Sequence, residues 1–164
     1  MLSKLLISVI LTCSFCAAQT KTETPAWIAA SNNYTNLLLQ VQIKHHPELG
    51  SNQGLSEYDT QIAQPTLADE DKERAETQDI LSKLKAALAQ EKQKEVAQDL
   101  QIVIRRIELQ FREDDFQRAH DVPFLNASGT VFGGLRILLD EQTANERRAA
   151  VVARIRKYAG LEPG

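Results

Sequence analysis

The sequence predicts an all-α fold, a helical hairpin accompanied by further helices. Three observations carry that expectation. Glycine and proline are scarce, at 7 and 5 in 164 residues, which leaves few of the turns that a sheet architecture consumes. Apolar residues recur at intervals of three and four rather than two. Capping residues precede the apolar stripes where helices should begin.

The chain opens with "MLSKLLISVILTCSFCAAQT". Lys4 supplies a positive start and Leu5 to Phe15 an apolar run. Ala17-Ala18 then places small residues at a cleavage position, so residues 1–18 read as a signal peptide cut after Ala18. The run is too short to span a bilayer comfortably. Lipidation would need a small residue before Cys13 or Cys16, and Thr12 and Phe15 stand there instead. The expected location is therefore outside the cytoplasm, periplasmic or secreted, with no stable membrane span. Both cysteines lie in this segment, so the processed chain has no disulfide, thiolate zinc site or cysteine nucleophile.

Thr24 and Pro25 predict a helix start, with threonine as cap and proline at the first helical position. Trp27, Tyr34, Leu38 and Val41 share one face, and Pro47 should stop the helix near His45. "PELGSNQGLSEYD" then reads as a loop. Thr66 and Asp69 resemble a capping box opening a helix with Ile80, Leu81, Leu84 and Leu88 on one side. Its acidic first turn suits the positive end of the helix dipole. After the polar break "AQEKQ", the stripe Val96, Leu100, Val103, Ile107 and Phe111 marks the partner helix. The two should pair as an antiparallel hairpin from Thr66 to Arg118.

"AHDVPFLNASGT" reads as a second loop, and "VFGGLRILLDEQ" as a short apolar helix. Thr143-Ala-Asn-Glu146 forms a capping box for the last helix. That helix should bury Ala149, Val152, Ile155 and Tyr158, with Arg154, Arg156 and Lys157 at its negative end. Gly160 fits a left-handed cap and Leu161 its hydrophobic contact.

A net charge of −3 argues against a nucleic-acid partner. No zinc-binding His-Glu-x-x-His, phosphate loop or dinucleotide fingerprint occurs. His45 and His46 are adjacent, so they leave the helix on different sides; with His120 they read as polar helix-end side chains. Glu113, Asp114, Asp115 and Asp121 lack calcium-loop spacing and alternate with Arg112 and Arg118, as on a salt-bridged surface. Asn126, Ser128 and Gly129 form a turn before a helix, where an anion could sit or the turn could be structural. Asn33 and Asn126 head glycosylation sequons, used only in a host that glycosylates exported proteins. The residues themselves thus assign no catalytic, cofactor or metal position.

The succession "HPELGSNQGLSEYD", a helical hairpin, "DVPFLNASGTVFGGLRILLDEQT" and "ERRAAVVARIRKYAGLEPG" resembles the amino-terminal part of the domain-of-unknown-function 885 family. These are large exported bacterial proteins resembling zinc metallopeptidases of carboxypeptidase type. The resemblance implies a mostly helical, zincin-like fold. It also implies that residues 19–164 are the truncated amino-terminal segment of a larger domain. Zinc and the catalytic motif of the family belong to its carboxy-terminal half, so the resemblance assigns no site residue here and the chain alone is expected to be inactive. The missing carboxy-terminal part is then the expected partner. The alternative is a stand-alone periplasmic helical interaction module without catalysis.

Overall fold

The computed structural model describes residues 24–122 and 124–163. Residues 1–18 and both cysteines lie outside them. All regular structure among the described residues is helical: α1 (Ala26–His45), α2 (Pro47–Asn52), a 3-10 turn (Ser56–Tyr58), α3 (Leu67–Gln90), α4 (Lys94–His120), α5 (Ala127–Leu139), α6 (Asn145–Arg148) and α7 (Ala150–Tyr158).

Helices α1, α3 and α4 pack into a three-helix bundle. Its centre is Ile80, Leu81 and Leu84 of α3 against Val96, Leu100, Ile104 and Ile107 of α4. Trp27, Tyr34, Leu38 and Val41 of α1 close the third side as expected, with Val103, Phe111 and Leu88 at the margin. Leu84 and Val96 are fully buried. Ser31 of α1, also buried, donates its hydroxyl to Asp99 of α4 and ties those two helices together.

The hairpin follows its sequence signals closely. Thr66 Oγ1 accepts from the Asp69 N–H at 3.2 Å, giving α3 its N-cap. Three residues connect α3 to α4, and so short a link makes neighbouring helices antiparallel. Glu91 Oε1 accepts from the N–H groups of both Lys92 and Gln93 at 2.8 Å, which holds that link.

A second layer consists of α2, the 3-10 turn and α5 to α7, joined to the bundle through the contact of α2 with α1. Here the sequence expectations need correction. The presumed loop after Pro47 is helical. Pro47 both ends α1 and occupies the first position of α2, where its missing N–H costs nothing. Gly50 acts as a packing residue rather than a breaker, because a Cβ there would lie 2.6 Å from Tyr58 Cδ2 and 2.9 Å from Ile43 Cγ2. Gly54, at φ +89°, does end the segment.

At the other boundaries, α1 begins at Ala26 with Pro25 at the cap position and no side-chain cap, so Thr24 does not play that part. Helix α5 starts at Ala127, four residues before the apolar run, because Asn126 caps it by accepting from the Gly129 N–H at 2.9 Å. The box at Thr143 does not form. Its hydroxyl donates to the Ile137 carbonyl at 2.6 Å and so finishes α5 instead of starting the next helix.

The last helix departs most from expectation. It breaks at Ala149 into α6 and α7, and its inner face lies one residue away from the expected one. Val151 is 8% exposed and Arg154 fully buried, whereas Val152 is 63% and Ile155 48% exposed. Tyr158 alone of the expected set faces inward, half-buried. Its terminus does behave as read: Gly160 has φ +70°, and the N–H groups of Gly160 and Leu161 reach the Lys157 and Arg156 carbonyls at 2.9 and 2.8 Å. These are the paired bonds of a left-handed helix cap. Leu161 itself stays exposed.

Candidate functional site

The most developed polar arrangement among the described residues lies between α2, the 3-10 turn, α5 and α7. Arg147, Val151, Arg154 and Tyr158 share one helical face at spacings of four, three and four. Arg147 donates through Nε and Nη2 to both oxygens of Asp59, at 2.8 and 2.7 Å. The same Nη2 also reaches the Ser51 carbonyl at 2.8 Å. Ser51, itself fully buried, donates its hydroxyl to Asp59 Oδ1 at 2.7 Å. Burial alone would raise the Asp59 pKa. The hydrogen bonds from Arg147 and Ser51 outweigh it and hold the carboxyl below its ordinary value.

Arg154 is saturated by backbone. Nε donates to the Gln61 carbonyl at 3.1 Å, Nη2 to the Tyr58 carbonyl at 3.0 Å and Nη1 to the Gly134 carbonyl. The turn at Tyr58–Gln61 and helix α5 thereby meet on one guanidinium, whose planar fork of donors suits the task. Burial lowers its pKa from the ordinary arginine value. Tyr158 completes the group by donating its hydroxyl to Glu48 Oε1 at 2.7 Å. Glu48 in turn accepts from the Ala63 N–H at 3.0 Å. Burial, then the bond to Glu48, pushes the Tyr158 phenol well above its usual range. Close approach is possible because position 134 is glycine: a Cβ there would lie 2.1 Å from the Tyr158 hydroxyl.

Chemically this is a clamp. Both arginines and Asp59 are consumed by mutual or backbone bonds. The clamp joins residues 48–63 to 134–158, the two stretches that flank the hairpin in sequence. Sequence reading assigned Arg154 to the helix end and gave Asp59, Ser51, Glu48 and Arg147 no role. The signal was present as two arginines seven residues apart, sharing a face with Val151 and Tyr158.

The sequence-derived candidates fall elsewhere. His45 is 5% exposed and faces two carboxylates of α3, Asp69 at 3.0 Å and Glu76 at 3.3 Å. His46 meets Glu73 at 3.0 Å. His120, stacked on Phe116, contacts its carbonyl at 2.8 Å. Around the acidic cluster, Arg74 reaches Asp115 at 2.7 Å and Asp114 at 3.8 Å, while Arg106 lies 3.8 Å from Glu113. The surface is salt-bridged, but through Arg74 and Arg106 rather than the interleaved arginines: Arg118 pairs with Asp71 and Glu70 of α3. It borders a cleft of 240 Å³ where Arg74 lies over the Phe111 ring. Among the described residues, no group of three His, Cys, Asp or Glu side chains is arranged to hold a metal ion. The Asn126 side chain already fills the turn considered for an anion, accepting from Ser128 Oγ as well as the Gly129 N–H. Asn33 and Asn126 are both exposed. No helix among the described residues is long and apolar enough to cross a membrane.

No family model, curated protein or solved structure matches the chain.

Proposed function

We propose that this chain is the amino-terminal helical part of an exported protein resembling the domain-of-unknown-function 885 family. In that reading it has no catalytic role of its own, and it docks through α5 and α7 onto the zinc-bearing, zincin-like part that the resemblance implies. The observation that carries the proposal is the orientation of α7. Its arginine face is turned inward onto Asp59 and backbone carbonyls, so Val152 and Ile155 are left in water. On the neighbouring α5, Phe132 is 68% and Leu139 59% exposed. Together they put four exposed apolar side chains on one pair of packed helices, which offers a contact surface. The clamp supports the same reading, because it brings together residues of all three quoted stretches on which the resemblance rests.

The test is reconstitution. The chain is mixed with the carboxy-terminal part of a protein from the resembled family and passed over a sizing column. Co-elution that Val152→Glu with Ile155→Glu abolishes, while helicity is kept, is the expected result. Failure of the unmodified chain to associate, or chelator-sensitive peptide hydrolysis by the chain alone, would refute the proposal. Export is tested separately: the processed protein should begin at Gln19.

A further inference from the structure

Three consecutive basic side chains end α1 and its junction with α2: Lys44, His45 and His46. They face Asp69, Glu73 and Glu76, which follow one another at four and three residues along one side of α3. Lys44 bonds one oxygen of Glu76, and His45 Nε2 contacts the other. Two further charges are near. Glu48 of α2 acts on His46. Lys157 of α7 lines a small cavity with Lys44, His45 and Asp69.

A neutral imidazole carries one N–H and one lone pair, whereas the charged ring carries two N–H groups. The charged His46 ring is attracted to the Glu73 carboxylate, and it loses that attraction when it is neutral. Beside it, buried His45 sits between Asp69 and Glu76. The joint matters beyond itself. Helix α2 begins at the next residue and carries Glu48 and Ser51, which hold Tyr158 and Arg147.

We propose that His46, held on Glu73, forms a pH-dependent latch. Protonated, it fixes the α1–α2 joint on α3; neutral, it frees the joint and loosens the clamp on α7. The hydrogen bond to Glu73 raises the His46 pKa above 6.5, against the opposing effect of partial burial. A folded pKa above the unfolded one gives stabilisation that is complete below the unfolded value. It is lost as pH rises through the folded value. The latch therefore closes in mild acid and opens in mild alkali.

Amide hydrogen exchange on the full chain tests this, at pH about 5.5 and 8.5 with intrinsic rates divided out. Residues 47–59 and α7 should open about fivefold more often at the higher pH, the span expected of a bridge of this exposure. Amides near Leu84 and Leu100 should not change. The response should shrink in His46→Gln, whose side chain is half exposed. Glu73→Gln provides a second route should that variant unfold, and it too should shrink the response. Equal opening at both pH values overturns the proposal, as does a response undiminished in His46→Gln and Glu73→Gln.

Discussion

Arg147 and Asp59, 88 residues apart in sequence, are joined by two hydrogen bonds of 2.8 and 2.7 Å in a fork-to-carboxylate pair. The Asp59 side chain is 5% and the Arg147 side chain 18% exposed. Removing one partner of a buried pair strands the other charge. Asp59→Ala should therefore lower unfolding free energy by about 3 kcal/mol, measured by urea denaturation.

The same carboxyl sets an acid limit. Burial raises the Asp59 pKa, but Arg147 and Ser51 more than reverse this, so the folded value lies below 3.8. A depressed folded pKa contributes stability that is full above the unfolded value and lost as pH falls through the folded one. Stability should fall below pH about 4, and Asp59→Asn should show a shallower acid slope in that window. An identical slope in both proteins would contradict the assignment.

Glycines 133 and 134 should respond in opposite directions to the same change. A Cβ at Gly133 meets nothing within 4 Å, so Gly133→Ala should stabilise α5 by up to about 1 kcal/mol. At Gly134 the methyl would press on Tyr158, whose hydroxyl is held by Glu48. Overpacking of that kind costs about 1–3 kcal/mol, more than the helical gain. Gly134→Ala should thus lower the melting temperature and Gly133→Ala raise it.

On α7, neighbouring valines should likewise differ. Val152→Ser changes an exposed position and should stay within about 0.5 kcal/mol. Val151→Ala empties a buried one and should cost at least about 1 kcal/mol. Comparable losses at both positions would mean that Val152 is buried after all.

The Tyr158 phenol is pushed upward by burial and then by Glu48. Its ionisation should be delayed beyond that of an ordinary phenol. In an alkaline titration at the phenolate absorbance, the difference between the unmodified chain and Tyr158→Phe should develop only as the protein unfolds.

The bundle was legible in the sequence because its helices bury apolar side chains at regular spacing, and hydrophobic burial is what periodicity reports. Ile80, Leu84, Val96 and Leu100 lie where their stripes put them. The last helix was not legible for a related reason. Val151, Val152 and Ile155 offer two apolar faces, and hydropathy alone prefers the one free of arginines. What decides between them is the set of carbonyls at Tyr58, Gln61 and Gly134 that receive the Arg154 guanidinium. Those belong to segments whose conformation the pattern of side chains does not declare. Thr143 and Asn126 make the same point at smaller scale. Both are capping residue types, but which helix end each serves depends on chain geometry several residues away.

The dependence of Tyr58 and Gln61 on Arg154 has a consequence for the order in which the chain takes shape. Their carbonyls receive a donor 96 and 93 residues further along, respectively. At a synthesis rate of about 5–20 residues per second, that interval lasts about 5–20 seconds. The α3–α4 hairpin, whose contacts are local, is complete before Arg154 exists. Throughout that time the stretch from Pro47 to Gln61 has α1 to pack on but lacks Arg147, Arg154 and Tyr158. It is where a protease or a holding chaperone would find the nascent protein, and closure of α7 ends the exposure in a single late event.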